Sequence, residues 1–293
     1  MNTIIQARGV RKQFNGKPVL DGINLTVPSG RIVGLIGPNG AGKTTLLKGI
    51  LGLAPVQGDL QVFGLDPVKH RVKLLEDVAF IADTAILPRW MKVQQLLDYV
   101  EGVHPKFNRP KALAFLQKTQ IALHSRVREL SKGMVTQLHL ALIMAIDSRL
   151  LVLDEPTLGL DIVYRKQFYE ALLNDYYDAQ KTIVITTHQV EEIEGILTDL
   201  IFIHNGKIVL ETSMDDLPQH FMALQVEPPQ QTAALALGPI DVRPMLGGLR
   251  MLFENANAAQ LQTLGRLLQP SVADVFVAKI APNLHVKGEF YAN

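Results

Sequence analysis

The sequence predicts an α/β fold: a mainly parallel sheet with helices on both faces, followed by a small second unit. Three observations carry this. Short strands with apolar centres recur at Arg31 to Ile36, Leu150 to Leu153 and Thr182 to Thr186, as strands buried on both faces do. Between them lie segments of helical period. One is Lys43 to Leu53; a longer one runs from about Thr84 to Ala145, where Val93, Leu96, Leu97 and Val100 fall three and four apart. The composition then changes after about Pro218, and Pro228-Pro229 with Gln230 to Ala236 mark a boundary or linker.

Taken in order, residues 1 to about 30 read as short strands, with Asn15-Gly16 as the turn between two of them. The strand Arg31 to Ile36 runs into a glycine-rich loop and then the helix Lys43 to Leu53. After the long helical stretch come the two further buried strands. Leu200 to Leu210, broken by Asn205-Gly206, reads as a closing hairpin. Beyond the linker, a hairpin through Gly247-Gly248, a helix from about Ala258 to Leu268 and a last apolar element at Val275 to Ile280 form the second unit. This divides the chain into residues 1–217, with a helical insertion at about 84–146, and residues 218–293. No repeat of 20–50 residues and no low-complexity tract interrupts it.

Composition narrows the function. With 293 residues, 47% of them apolar and 19% charged, the chain has material for a full core. Twenty-nine basic and 28 acidic residues leave a net charge of +1, so nothing advertises nucleic-acid binding. The sequence has no cysteine, which excludes a disulfide scaffold, a Cys-ligated metal and a Cys nucleophile. The start, Met-Asn-Thr-Ile-Ile-Gln-Ala-Arg, lacks the pattern of a secretory leader. No apolar run approaches a membrane span: the longest, Leu138 to Ile146, contains His139 and ends at Asp147. A cytoplasmic location is expected. The mean hydropathy of +0.15 fits either a large core or apolar surface covered by a partner.

Two motifs carry chemistry. Gly37-Pro38-Asn39-Gly40-Ala41-Gly42-Lys43-Thr44-Thr45 fits G-x-x-x-x-G-K-[ST] between a strand and a helix. Its glycines let backbone N–H groups turn toward phosphate oxygens, and the helix adds the positive end of its dipole. Lys43 would bridge the β- and γ-phosphates and Thr44 would ligate Mg²⁺. The second motif is the strand Leu150 to Leu153 ending in Asp154 and Glu155. Asp154 would hold Mg²⁺, directly or through water, and Glu155 would polarise the attacking water as general base.

The order of the remaining motifs resembles one family. Leu130-Ser131-Lys132-Gly133-Met134 is similar to the Leu-Ser-Gly-Gly-Gln signature of ATP-binding cassette (ABC) ATPases. Thr157-Leu158-Gly159-Leu160-Asp161 resembles the D-loop, His188 the switch histidine, and Phe14 the aromatic that stacks on adenine. The resemblance covers roughly residues 1 to 215 and is nearest to nucleotide-binding subunits of bacterial exporters whose membrane subunit is a separate chain. It implies a P-loop NTPase fold with an antiparallel N-terminal β subdomain and a helical signature subdomain; the unit beyond it reads, from its own hairpin and helix, as a small C-terminal α+β domain. It also implies ATP hydrolysis with Mg²⁺ in a head-to-tail dimer, of two copies or with a related cassette. Ser131 and Gly133, flanked by Lys132 and Met134, would then serve the γ-phosphate in trans. Asp161 would couple the two sites, and His188 would order Glu155 and the water. The implied partner is an integral membrane permease, with the chain peripheral on the inner face of the cell membrane. A soluble member of the family acting on ribosomes or DNA is the alternative; the single phosphate loop and the lack of a basic patch weigh against it.

The sequence departs from the family pattern at three places. Lys132 replaces a glycine and either adds charge near the γ-phosphate or points into solvent. Met134 replaces glutamine. Asp83 stands where a Gln or Glu usually reaches the Mg²⁺ site, and it is one methylene shorter. The stretch Thr84 to Met91, with the only tryptophan, Trp90, is expected to begin the helical segment and to line a groove for a helix of the membrane subunit.

Overall fold

Two twelve-residue strands open the chain, β1 (Thr3–Phe14) and β2 (Lys17–Pro28), longer than the short strands expected. Asn15 and Gly16, both at positive φ (50° and 76°), turn one into the other. β3 (Ile32–Ile36), α1 (Lys43–Ile50) and β4 (Gln57–Val62) follow. β4 pairs with β1, giving an antiparallel sheet in the order β2-β1-β4. This computed structural model describes residues 2–82, 87–158 and 160–281.

After α2 (Arg71–Leu75) and β5 (Val78–Ile81), three helices form their own layer: α3 (Val93–Val103), α4 (Arg109–Gln117) and α5 (Lys132–Met144). Their apolar faces bury Leu96, Leu97, Ala112, Leu116, Leu138 and Leu142 together. The expected start of this segment is corrected here. Among the described residues, 89–90 form a turn, Lys92 bridges to Arg126, and helix begins at Val93, where Gln95 Oε1 accepts from Lys92 N at 2.9 Å. Pro88 disfavours helix at Leu87, the residue before it.

β6 (Leu150–Asp154), α6 (Ile162–Ala171), β7 (Thr182–Thr187), β8 (Asp199–His204) and β9 (Lys207–Ser213) complete the larger sheet, ordered β5-β6-β7-β3-β8-β9. The ladders β5–β6, β6–β7 and β7–β3 are parallel. Their register pairs Asp154 with Thr186 and Ile36 with Thr187, so three strands end at one level. In an open α/β sheet that edge is where ligands bind.

The remaining elements are α7 (Leu217–His220), β10 (Phe221–Val226), α8 (Gln231–Leu235), β11 (Asp241–Met245), β12 (Gly248–Glu254), α9 (Ala258–Gln262), β13 (Arg266–Leu268) and α10 (Val272–Ile280). The four strands form an antiparallel sheet ordered β11-β12-β10-β13 over Leu224, Val226, Met251, Phe253 and Leu261. Two expectations are corrected. The helix expected to reach Leu268 ends at Gln262, because Arg266–Leu268 pairs with β10, Ala223 opposite Leu268. The expected linker is instead a helical turn, Pro228–Gln230, leading into α8, whose Ala234 is fully buried. The chain forms two compact units, residues 1–188 with 203–208 and residues 189–202 with 209–293.

Candidate functional site

The loop between β3 and α1 is shaped by its glycines. A Cβ on Gly37 would lie 2.4 Å from Ile203 O, and one on Gly42, at φ 111°, 2.8 Å from Val19 O. Neither position has room for a side chain. Gly42 is also the N-cap of α1 and gives it no side-chain cap. The amides of the first turn are therefore unclaimed by a side chain, which is what a phosphate requires. Asn39, Gly40 and Thr44 are exposed on this loop, Pro38 and Thr45 are half-buried, and Ala41 is buried.

Lys43, only 6% exposed, turns back under the loop. Its Nζ donates to Gly37 O at 2.6 Å and, more weakly, to Pro38 O at 3.4 Å, and lies 3.3 Å from Glu155 Oε1. Asp154, 2% exposed, ends β6. The register that sets Thr186 opposite it lets Thr186 Oγ1 donate to Asp154 Oδ1 at 2.6 Å. That hydroxyl has a single proton, so it accepts from Glu155 N at 3.0 Å. Glu155 has the left-handed backbone angle φ 48°, uncommon for a residue with a long side chain. His188, at the end of β7, lies with Nδ1 2.9 Å from Glu155 Oε2. A carboxylate only accepts, so Nδ1 carries the proton in this contact. Thus Lys43, Asp154, Glu155 and His188 converge at the sheet edge.

Thr186 escaped the sequence reading, although a hydroxyl in a fully buried strand requires a partner. The other motif residues lie elsewhere. Ser131 is the N-cap of α5, its Oγ accepting from Met134 N at 3.2 Å. Lys132 is exposed, while Gly133 and Met134 are half-buried. Farther along the same helix, burial pushes the His139 imidazole down to about 4, so it is neutral near pH 7. Asp161 is the N-cap of α6, accepting from Val163 N and Tyr164 N. Phe14, at the end of β1, is 51% exposed with Lys12 Nζ 5.2 Å from its ring centre. Trp90 is 69% exposed, whereas Met91 is buried in the helical layer and Leu87 packs against it. Asp83 and the stretch Thr84 to Ile86 lie outside the described residues, as does Gly159.

The donors suit a hard cation. Among the described residues no three His, Cys, Asp or Glu side chains gather as a protein cage. The Thr44 hydroxyl and the Asp154 carboxylate are oxygen ligands of the kind that hold Mg²⁺ together with substrate phosphates.

Comparison with known proteins gives a consistent likeness. A family model described as "ABC transporter" matches residues 20–158. The chain is 33% identical to the Nod factor export ATP-binding protein I of Rhizobium sp. (strain N33), over 93% of this chain and 95% of that one. It is 32% identical to the taurine import ATP-binding protein TauB of Yersinia pestis, over 69% and 80%. The solved structure of an ATP-binding subunit of an ABC transporter superposes with a TM-score of 0.68 at 23% identity, covering 74% of this chain and 92% of that one.

Proposed function

This chain belongs to the ABC transporter ATP-binding family, and on that premise we propose that it powers an exporter as one of two cassettes closing head to tail around ATP. As a family member it binds and hydrolyses ATP as the ATP-binding subunit of a membrane transporter. The observation that carries the mechanism is Glu155 held between Lys43 and His188.

In this reading the Glu155 carboxylate takes a proton from the attacking water, and His188 orients that carboxylate. Lys43 keeps its bond to Gly37 O and exchanges its weaker contact with Pro38 O for a phosphate oxygen. Thr44 and Asp154 would hold Mg²⁺, which would neutralise phosphate charge when bound, and Asp83 is the further metal-site residue of this reading. Phe14 offers an exposed ring for adenine. Ser131, Lys132, Gly133 and Met134 face the partner cassette's nucleotide, and Asp161 couples the two sites. The second cassette is another copy or a related chain. Residues 1–217 carry this machinery, and residues 218–293 form an accessory domain.

Export is favoured because the likeness to a Nod factor export protein runs through 93% of the chain, whereas that to a taurine import protein stops at 69%. Among the described residues no helix is long and apolar enough to cross a membrane. As in other ABC transporter ATP-binding subunits, the transporter's path belongs to a membrane permease, and in this reading the chain sits on its cytoplasmic face.

Ser131→Arg tests the composite site. The bulky cation occupies the space for the opposing γ-phosphate, so ATP still binds each chain while the closed dimer is lost. Size-exclusion chromatography in ATP and Mg²⁺ should give the monomer, both for the whole chain and for residues 1–215. An undiminished dimer would remove the head-to-tail model.

The permease contact is tested at Trp90. An exposed tryptophan beside an apolar layer is the kind of anchor that helix-in-groove docking uses. Trp90→Glu should abolish copurification with the membrane subunit and leave ATP binding by the isolated chain unchanged. Normal assembly and transport by this variant would move the docking surface elsewhere.

A further inference from the structure

We infer that Tyr164 is a positioning residue that makes the turn carrying Asp161 and the turn carrying Ser131 and Gly133 move as one. The inference rests on the reading that both turns serve ATP in the closed dimer.

The contact is built from both sides. Asp161 Oδ1 accepts from Val163 N at 3.0 Å and from Tyr164 N at 3.1 Å, so the backbone of Tyr164 is tied to the Asp161 carboxylate. Arg165 Nε donates to Leu160 O at 2.7 Å and closes the same turn from behind. From this fixed backbone the Tyr164 ring reaches the first turn of α5. A Cβ on Gly133 would lie 3.0 Å from Tyr164 Cε2 and 3.2 Å from Cδ2 and Cζ, so the ring lies against bare backbone and even a methyl group would press on it. Gly133 lies between Ser131 and Met134, whose side-chain oxygen and amide nitrogen close the N-cap. One aromatic ring thus joins two capped helix starts.

A cavity of about 240 Å³ adjoins the contact, lined by Phe115, Thr136, Leu140, Leu160, Tyr164 and Phe168 among others. A close-packed interior would spread a displacement over many neighbours. Beside a void, the Tyr164–Gly133 contact carries a larger share of it. A shift of Asp161 on closure therefore reaches Gly133 through the ring. The ring makes the contact and the hydroxyl does not, so phenylalanine should serve as well.

The test uses the full-length protein and five variants, Tyr164→Ala, Tyr164→Phe, Gly133→Ala, the Tyr164→Ala/Gly133→Ala double variant and Ser131→Arg, with ATP hydrolysis, binding of a fluorescent ATP analogue and melting temperature as readouts. Tyr164→Ala should lower kcat about tenfold while ATP affinity stays unchanged, because the phosphate loop is separate from the contact. Tyr164→Phe should hydrolyse within about twofold of the parent. Gly133→Ala should lose activity alone but little more in the Tyr164→Ala background, since both disrupt one contact. Parent-like kcat in Tyr164→Ala, equal losses in the Ala and Phe variants, or additive losses in the double variant would each overturn the inference. A loss that follows only the melting temperature, with no rescue by Phe, would also overturn it, since it marks a residue needed for folding alone. If Ser131→Arg is inactive while Tyr164→Ala is not, the positioning role alone fails. If Ser131→Arg hydrolyses ATP normally, the composite-site reading fails and takes the inference with it.

Discussion

Glu155→Gln lowers ATP hydrolysis at least about a hundredfold while ATP binding persists, the size of loss that follows removal of general-base assistance. The substitution keeps the shape of the side chain and removes the charge. An amide oxygen can still accept from His188 Nδ1, which lies 2.9 Å from Glu155 Oε2, and the backbone bond to Thr186 Oγ1 is untouched. What disappears is the proton acceptor. Lys43, 3.3 Å from Glu155 Oε1, loses an anionic neighbour, so its charge is freer for phosphate and affinity should not fall. Closure that no longer leads to cleavage accumulates, and a stable dimer should elute in ATP and Mg²⁺. Single-turnover hydrolysis and size-exclusion chromatography check both halves. Near-parent turnover would remove Glu155 from the role.

Lys43→Ala abolishes nucleotide handling at an earlier step. It deletes the buried cation beneath the loop, along with its bond to Gly37 O at 2.6 Å. A charge-assisted hydrogen bond contributes about 1.5–3 kcal/mol, so ATP affinity should fall at least about tenfold and turnover further. The same change leaves the mostly buried Glu155 carboxylate with His188 as its remaining side-chain partner, and that destabilises the folded chain. Adding Glu155→Gln removes the stranded charge and should recover melting temperature without recovering activity. This separates a binding defect from misfolding. Calorimetric titration with ATP that matches the parent, together with parent-like hydrolysis, would refute the phosphate-loop assignment.

Much of this was legible in the sequence. The strands β3, β6 and β7 have apolar, fully buried centres bounded by glycine, threonine or charged residues, so their ends, and the site at those ends, could be placed within a residue or two. The phosphate loop was legible for a related reason: Gly37 and Gly42 occupy positions that exclude a Cβ, and the sequence cannot vary there without a clash. The misreadings share a cause. Arg266–Leu268 forms a strand because β10 lies alongside it, and a pairing across some forty residues leaves no mark on local periodicity. Trp90 and Met91 are adjacent and both apolar, yet one is exposed and the other buried, and a turn rather than a helix decides which. Thr186 was invisible as a site residue because its role comes from strand register, which only the assembled sheet fixes.

The left-handed φ of 48° at Glu155 has an evolutionary consequence. A conformation that a non-glycine residue disfavours costs of order 1–3 kcal/mol and survives only where its surroundings enforce it. A library selected purely for heat resistance would therefore favour glycine or asparagine at this position, where either residue relaxes the backbone. Such survivors would be hardier proteins and inert motors. On the proposed mechanism, selection on transport rather than on folding would keep a glutamate there.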